Sequence, residues 1–227
     1  MMTPSWRKGS RPSSKPIVIN DGTRCEHAVQ LAEHSISAIL SKLEGESDLE
    51  RITSNVDPRF QAAAMMRSRD LGKALLFHSI GKSGRKAVAN IFGKRGRIAK
   101  GLGIEEGMIH RHLLRSIENP VGCKEVSAQL EVKSGPEELS KMPVLTHYEE
   151  DAGPYITSAT VIAADPETGV QNASIHRLLL RDGHLVIRIV EGRHLHRIFE
   201  KYRSSGKDVP VAMVIAPHPA VTVAAAS

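Results

Sequence analysis

A chain of 227 residues, 41% hydrophobic and 25% charged, has the composition of a globular protein with a sizeable core, which excludes fibrous, collagen-like and wholly disordered classes. No apolar run approaches the ~18 to 20 residues of a membrane span and no apolar stretch marks a secretory signal, so a cytoplasmic protein without membrane contact is expected. The net charge of +6 and pI near 9.4 favour an anionic partner, whether nucleic acid, phosphorylated metabolite or flavin phosphate, while 4% aromatic residues leave few rings for stacking on single strands.

Residues 1–20 carry Arg7, Lys8, Arg11 and Lys15 among Ser and Pro with no acid, and are expected to form a flexible basic tail. A small N-terminal α/β domain is expected over residues 21–120. In it Val29, Ala32, Ile36, Leu40 and Leu43 recur at helical spacing within a helix from Cys25 to Leu43, with Gly45 as its stop. A strand at Leu49–Ile52 follows, then a helix through Met66 with Asp57 as N-cap and Pro58 as its first residue. The apolar runs Ala74–Phe77 and Ala87–Phe92 read as buried strands around a Gly/Lys/Ser turn, and helices are expected at Arg97–Leu102 and Glu105–Ile117. The polar stretch Val121–Met142 reads as the passage into a β-rich unit over 121–227. There, strands Tyr155–Ala164, Val170–Arg181 and Leu185–Val190 form an antiparallel meander, with Asp165–Gly169 as a turn and Asp182-Gly183 as a tight hairpin. A helix at His194–Tyr202, a loop at Ser204–Lys207, a strand at Val209–Ala216 and an apolar run at Ala220–Ala226 complete the chain.

Several motifs fail on spacing. Gly81-Lys82-Ser83 lacks the glycine of a phosphate loop, since Leu76 stands there, and Glu106 occupies the third glycine position of a dinucleotide fingerprint begun by Gly101 and Gly103. Cys25 and Cys123 are far apart, which indicates neither a disulfide framework nor a cysteine zinc site. Lys73, Lys82, Arg85, Lys86, Lys94, Arg95, Arg97 and Lys100 fall in a stretch without acids. That run suits either a phosphate-tracking surface or a solvated basic face, and the second is preferred because no nucleic-acid-binding signature accompanies it. The pairs His110/His112 and His194/His196 are isolated H-x-H spacings, and the first pair is read as structural. On the strand after Gly169, alternation puts Asn172, Ser174 and His176 on one face and Arg177 on the other, with Arg193 and His194 one hairpin later at a helix start. Such a start suits a phosphate with a bridging metal ion, and a salt-bridged sheet edge about equally. Glu149, Glu150 and Asp151 read as a solvated turn that does not face Arg177.

In the run from Asp165 to Arg177 (DPETGVQNASIHR), continued by Arg188–His194 (RIVEGRH) and Pro210–Ala216 (PVAMVIA), the sequence resembles the UbiD family of prenylated-flavin decarboxylases. The segments Pro143–His147 and Asp151–Thr157 are most similar to its archaeal branch, which includes anhydromevalonate phosphate decarboxylases. The resemblance implies an α/β (α+β) fold whose second domain is a split-barrel, flavin-binding-like unit. It also implies non-oxidative decarboxylation of an α,β-unsaturated carboxylic acid, trans-anhydromevalonate 5-phosphate being the candidate. Prenylated FMN would be the cofactor, with Mn2+ or another divalent cation and K+ as a further candidate.

Carried over, Asn172 binds the metal, and His194 matches a position that ligates it in some members. Ile175, His176 and Arg177 line the flavin, and Arg188, Ile189, Val190, Arg193 and His194 close its other side. Arg177 belongs to the Glu/Arg/acid network as the group that holds the substrate carboxylate. The chain is expected to stop before the family's metal-binding glutamate and proton-donating acid. It would then need a C-terminal complement, a flavin prenyltransferase as cofactor supplier, and self-assembly into a homo-oligomer when complete. A non-catalytic flavin or phosphate binder and a basic nucleic-acid-binding protein are the alternatives.

Overall fold

The first two strands, β1 (Leu49–Val56) and β2 (Ala74–Ile80), run parallel, so the chain between them must cross over, and helix α2 (Gln61–Ser68) does so. The structure is a computed structural model that describes residues 35–121, 138–139 and 141–227. The expected basic tail, the beginning of the first helix and most of the passage between the two units lie outside these residues. Helix α1 (Ile36–Gly45) opens on Ser35, whose hydroxyl accepts from the Ala38 amide at 3.2 Å, and ends where Gly45 was expected to stop it.

A short strand β3 (Ala87–Ala89) pairs antiparallel to β2, giving the order β1-β2-β3. Ala74, Leu75, Leu76 and Phe77 are all buried, as a central strand covered on both faces requires. Ile39 and Leu43 of α1 pack with Ala74 and Ile91, while Ala62 packs with Ile52, Leu75 and Phe77 on the opposite face.

Two expectations in this unit are corrected by tertiary contacts. Asp57 and Pro58 do not open α2. The Asp57 carboxylate accepts from the Arg59 amide at 2.7 Å, and Phe60 takes a left-handed φ of 68°. The backbone at Pro58 and Phe60 bonds instead to Thr146, at 3.0 Å each way, and that pairing holds the segment in a turn that delays the helix until Gln61. Likewise β3 ends at Ala89, because Asn90 turns left-handed and its amide donates to Met66 and Arg69 carbonyls. A 3-10 turn at Ile91–Gly93 follows.

Helix α3 (Arg95–Leu102) ends at Gly103, whose φ of 69° suits a glycine stop. Helix α4 (Ile109–Glu118) follows a 3-10 turn at Glu106–Met108. The basic run is not a uniformly solvated face. Arg97 is 2% exposed, and its guanidinium donates to both Asp48 carboxylate oxygens at 2.6 and 2.7 Å, to the Asn90 carbonyl at 2.7 Å and to the Gly72 carbonyl at 2.5 Å. Lys94 also approaches Asp48, Lys100 pairs with Glu46, and Arg85 pairs with Glu138.

The second sheet is antiparallel throughout, in the order β6-β5-β4-β7: β4 (Tyr155–Ala164), β5 (Gln171–Arg181), β6 (His184–Ile187) and β7 (Val211–Val214). Asp182 and Gly183, with φ of 51° and 73°, make the expected two-residue hairpin. Both β6 and β7 are shorter than their apolar runs. Helix α5 (His194–Ser204) lays Leu195 and Ile198 on one face of the sheet, against Ile156, Ala159, Val161, Ala163 and Leu178. Thr160, on the other face, is fully buried, and helix α6 (Pro219–Ala226) packs against β4, β5 and α3. Gly101 of α3 is the close approach, since a Cβ there would sit 2.5 Å from the Pro219 Cγ. Among the described residues no helix is long and apolar enough to cross a membrane.

Candidate functional site

Strand β5 carries most of the candidate side chains, and the strand repeat of two sorts them. Asn172, Ser174 and His176 share the face of buried Leu178, opposite Ala163, Val161 and Ala159 of β4. They form a polar row: the Asn172 amide reaches the Ser174 hydroxyl at 3.5 Å, and that hydroxyl lies 2.9 Å from His176 Nε2. Burial holds the His176 pKa below its ordinary value, which keeps the ring neutral in this row. Ile175 and Arg177 lie on the other face, Ile175 38% exposed.

The pairing of β6 explains why these positions remain open. β6 follows β5 only from Arg181↔His184 to Leu178↔Ile187, so the β5 edge from Gln171 to Arg177 has no ladder partner on that side among the described residues. The chain leaves the ladder at Arg188, the first residue of the second candidate segment. Arg188, Val190, Arg193 and His194 are exposed. Ile189 packs instead against the core under α5. Arg193 is the N-cap of α5 in an extended conformation with no side-chain cap bond. The first-turn amides of that helix are therefore uncapped beside an arginine and a histidine.

Arg177 is more constrained than sequence reasoning expected. Its guanidinium donates to Asp151 Oδ1 at 2.8 Å and stacks on the Tyr155 ring with 4.2 Å to the centroid. Asp151 does face Arg177, against its reading as a solvated turn. Its other oxygen accepts from the backbone amides of His147 and Tyr148 at 3.2 and 3.1 Å. Burial raises the Asp151 pKa, but Arg177 and the two amides outweigh it and hold the carboxyl below its ordinary value. His147 lies beside this cluster with Nδ1 buried and without a partner among the described residues. Burial, partly offset by Asp151, lowers its pKa.

A bulge makes this arrangement. Continued regularly from Ala164↔Gln171, the β4–β5 ladder would set Tyr155 opposite Leu180, but the shift between Ile156 and Ala159 sets it opposite Leu179. Cross-strand partners share a face, so the shift moves Tyr155 to the side of Arg177. No sequence pattern marks that bulge. A weaker signal was available in the position of Asp151, four residues before Tyr155 at the start of the strand.

As a flavin face, the row and the opening fit in kind: an apolar exposed Ile175, a half-exposed arginine, and uncapped helix amides for a phosphate. For a metal, Asn172 and His194 offer one oxygen and one nitrogen donor. Among the described residues no three His, Cys, Asp or Glu side chains gather into a metal-binding group, so a closed all-protein metal site is not formed by them.

Residues 40–117 match the family model of the 3-octaprenyl-4-hydroxybenzoate carboxy-lyase N-terminal domain, and residues 119–227 that of the Rift-related domain of the same enzyme. The anhydromevalonate phosphate decarboxylase of Methanothermobacter thermautotrophicus is 34% identical over 176 residues, covering 76% of this chain and 41% of that protein. Its counterpart from Methanosarcina mazei is 34% identical over 184 residues, covering 80% and 42%. The chain thus spans about two fifths of the length of these curated relatives. Among solved structures, an evolved dimeric form of the UbiD-class enzyme HmfF from Pelotomaculum thermopropionicum, in complex with prFMN, superposes with a TM-score of 0.74 at 34% identity. It covers 82% of this chain and 45% of that one. The vanillic acid decarboxylase of Sedimentibacter hydroxybenzoicus in closed form, at 24% identity and a TM-score of 0.74, shares the fold.

Proposed function

The chain belongs to the UbiD family of carboxy-lyases, and from that premise we propose that it supplies the cofactor face of a decarboxylase acting on an α,β-unsaturated carboxylic acid with prenylated FMN. Support comes from the β5 edge that β6 leaves unpaired, which carries Asn172, Ile175, His176 and Arg177, and from the exposed Arg188, Val190, Arg193 and His194 that follow β6 in the chain. Trans-anhydromevalonate 5-phosphate is the proposed substrate, on the strength of the archaeal relatives. The division into domains is proposed to fall near residue 120.

When bound, the prenylated flavin supplies the electron sink that loss of CO2 requires and no side chain provides. The residues of this chain would contribute position and charge. Arg177 holds the substrate carboxylate with donors that Asp151 leaves free, since a single N–H bond joins the two. Arg193 and the uncapped amides of α5 would hold the cofactor phosphate. Asn172 and His194 would each offer one donor to a Mn2+ or other divalent ion, which would supply positive charge for an anionic cofactor group. K+ is a further candidate, and no chemical step is assigned to either ion. Arginine stays charged at neutral pH and cannot exchange a proton, so the proton donor is a group other than Arg177. The nucleic-acid alternative is weakened by the carboxylates that pair with the basic run.

The test is co-expression with a flavin prenyltransferase, mass spectrometry of the bound cofactor, and CO2 release from anhydromevalonate phosphate with Mn2+. The release assay is run with and without the part of the Methanothermobacter relative that this chain does not match. Cofactor retention with release in the complemented sample is expected, and the complemented protein is expected to be a homo-oligomer. Retention without release in either sample would favour a flavin-binding role alone. A folded, complemented protein that retains no cofactor would overturn the proposal.

A further inference from the structure

An arginine that must present a planar fork to a carboxylate gains from being held in one rotamer, because its long side chain otherwise spreads over many orientations. Arg177 is half-exposed, with 50% of its side chain accessible, and exposure alone would leave it mobile. Yet two groups fix it in different senses. The Tyr155 ring under the guanidinium at 4.2 Å sets its plane, and the Asp151 bond at 2.8 Å sets its rotation within that plane.

Asp151 can do this because it is itself fixed. Its side chain is 9% exposed, its second oxygen is held by two backbone amides, and its own amide closes the turn on the Tyr148 carbonyl at 3.2 Å. A freely solvated carboxylate would give a surface ion pair of little consequence. A carboxylate locked to backbone at the start of β4, next to the bulge that brings Tyr155 under the same guanidinium, is a built clamp. The neighbouring Glu149 and Glu150 are exposed and make no bond to Arg177.

We infer that Asp151 is a positioning residue which, with Tyr155, holds the Arg177 guanidinium in the orientation that receives the substrate carboxylate. This rests on the reading of Arg177 given above. In this role Asp151 acts through the arginine. Its charge also offsets that of Arg177, so an incoming carboxylate is recognised by the remaining N–H donors and not by charge alone.

The clamp predicts a signature that a merely structural aspartate would not give. In the full 227-residue chain, 15N NMR of the arginine side chains should show slow rotation about the Arg177 Nε–Cζ bond. Asp151→Asn should make it fast while keeping the acceptor for the His147 and Tyr148 amides, and Glu150→Gln should leave it slow. In the complemented enzyme, Asp151→Asn should lower kcat roughly 10- to 100-fold with a smaller change in KM, as misplacement of an orienting group does. In an Arg177→Lys background the same substitution should cost less than about twofold, because the two act as one unit.

Slow rotation and unchanged kcat in Asp151→Asn, with Arg177→Lys still losing turnover, would overturn the clamp alone. Unchanged turnover in Arg177→Lys would overturn the reading of Arg177 beneath it. Should Asp151→Asn fail to fold by circular dichroism, Tyr155→Leu tests the other half of the clamp by the same NMR readout. Slow rotation there would overturn the inference.

Discussion

In the three-stranded unit four cations end on carboxylates: Arg97 is buried on Asp48, Arg69 meets Glu50, Arg51 meets Glu44 and Lys100 meets Glu46. Along the opening of the four-stranded sheet, by contrast, Arg188, Arg193 and His194 have no side-chain partner among the described residues, and Arg177 keeps donors to spare. The same residue types thus do different work. Where a cation such as Arg97 is buried, loss of its internal anion is strongly destabilising. Exposed cations such as Arg188 and Arg193 stay solvated and need no internal anion.

The contrast would break most visibly at Asp48. Asp48→Ala leaves Arg97 buried with no counter-ion, and a loss of roughly 3–5 kcal/mol in denaturant unfolding is expected. A loss below about 1 kcal/mol, the range of exposed ion pairs, would mean that the pair does not hold the unit together.

Gly101→Ala comes next, because it presses a methyl group against buried Pro219 at the junction of α3 and α6. Overpacking of this kind costs about 1–3 kcal/mol. A melting temperature equal to that of the parent would show that α6 can move off α3 freely.

A third expectation separates the histidines from the carboxylates by pH. His147, packed beside Asp151 and Arg177, has its pKa lowered chiefly by burial. The folded chain then binds fewer protons than the unfolded one, so stability is present above the ordinary histidine value of about 6.5 and is lost as pH falls below it. The carboxylates of Asp48, Asp151 and Asp165 are also depressed, by Arg97, Arg177 and Lys201 among other contacts. Their contribution is lost only as pH falls through and below about 4. Unfolding curves between pH 7 and 5 should therefore show a slope to which His147 and the likewise depressed His176 both contribute, and which His147→Gln reduces in part. An unchanged slope would assign that window to other groups.

The smallest effect on stability is expected at the opening. Arg188→Ala and Arg193→Ala should change the unfolding free energy by no more than about 0.5 kcal/mol, as exposed side chains without partners do. The Arg193 variant should nevertheless retain less flavin. A large stability loss in either would show that these arginines are structural after all.

Much of this could be read from residues in order. The Tyr155–Ala164 strand, the Asp182-Gly183 hairpin, the helix from His194 and the split of Asn172, Ser174 and His176 from Arg177 follow from alternation, turn chemistry and apolar spacing, all local signals. The family resemblance likewise rested on contiguous runs. Tertiary structure alone decided the rest. Asp57 and Pro58 carried a helix-start signal, but pairing with Thr146 overrode it. Asp48 lies 49 residues from Arg97, and no periodicity announces such a partner. Asp151 and Tyr155 meet Arg177 because a bulge shifts the strand register by one residue. A one-residue slip reverses every face beyond it, so the clamp depends on a long-range backbone register that no local pattern of side chains encodes.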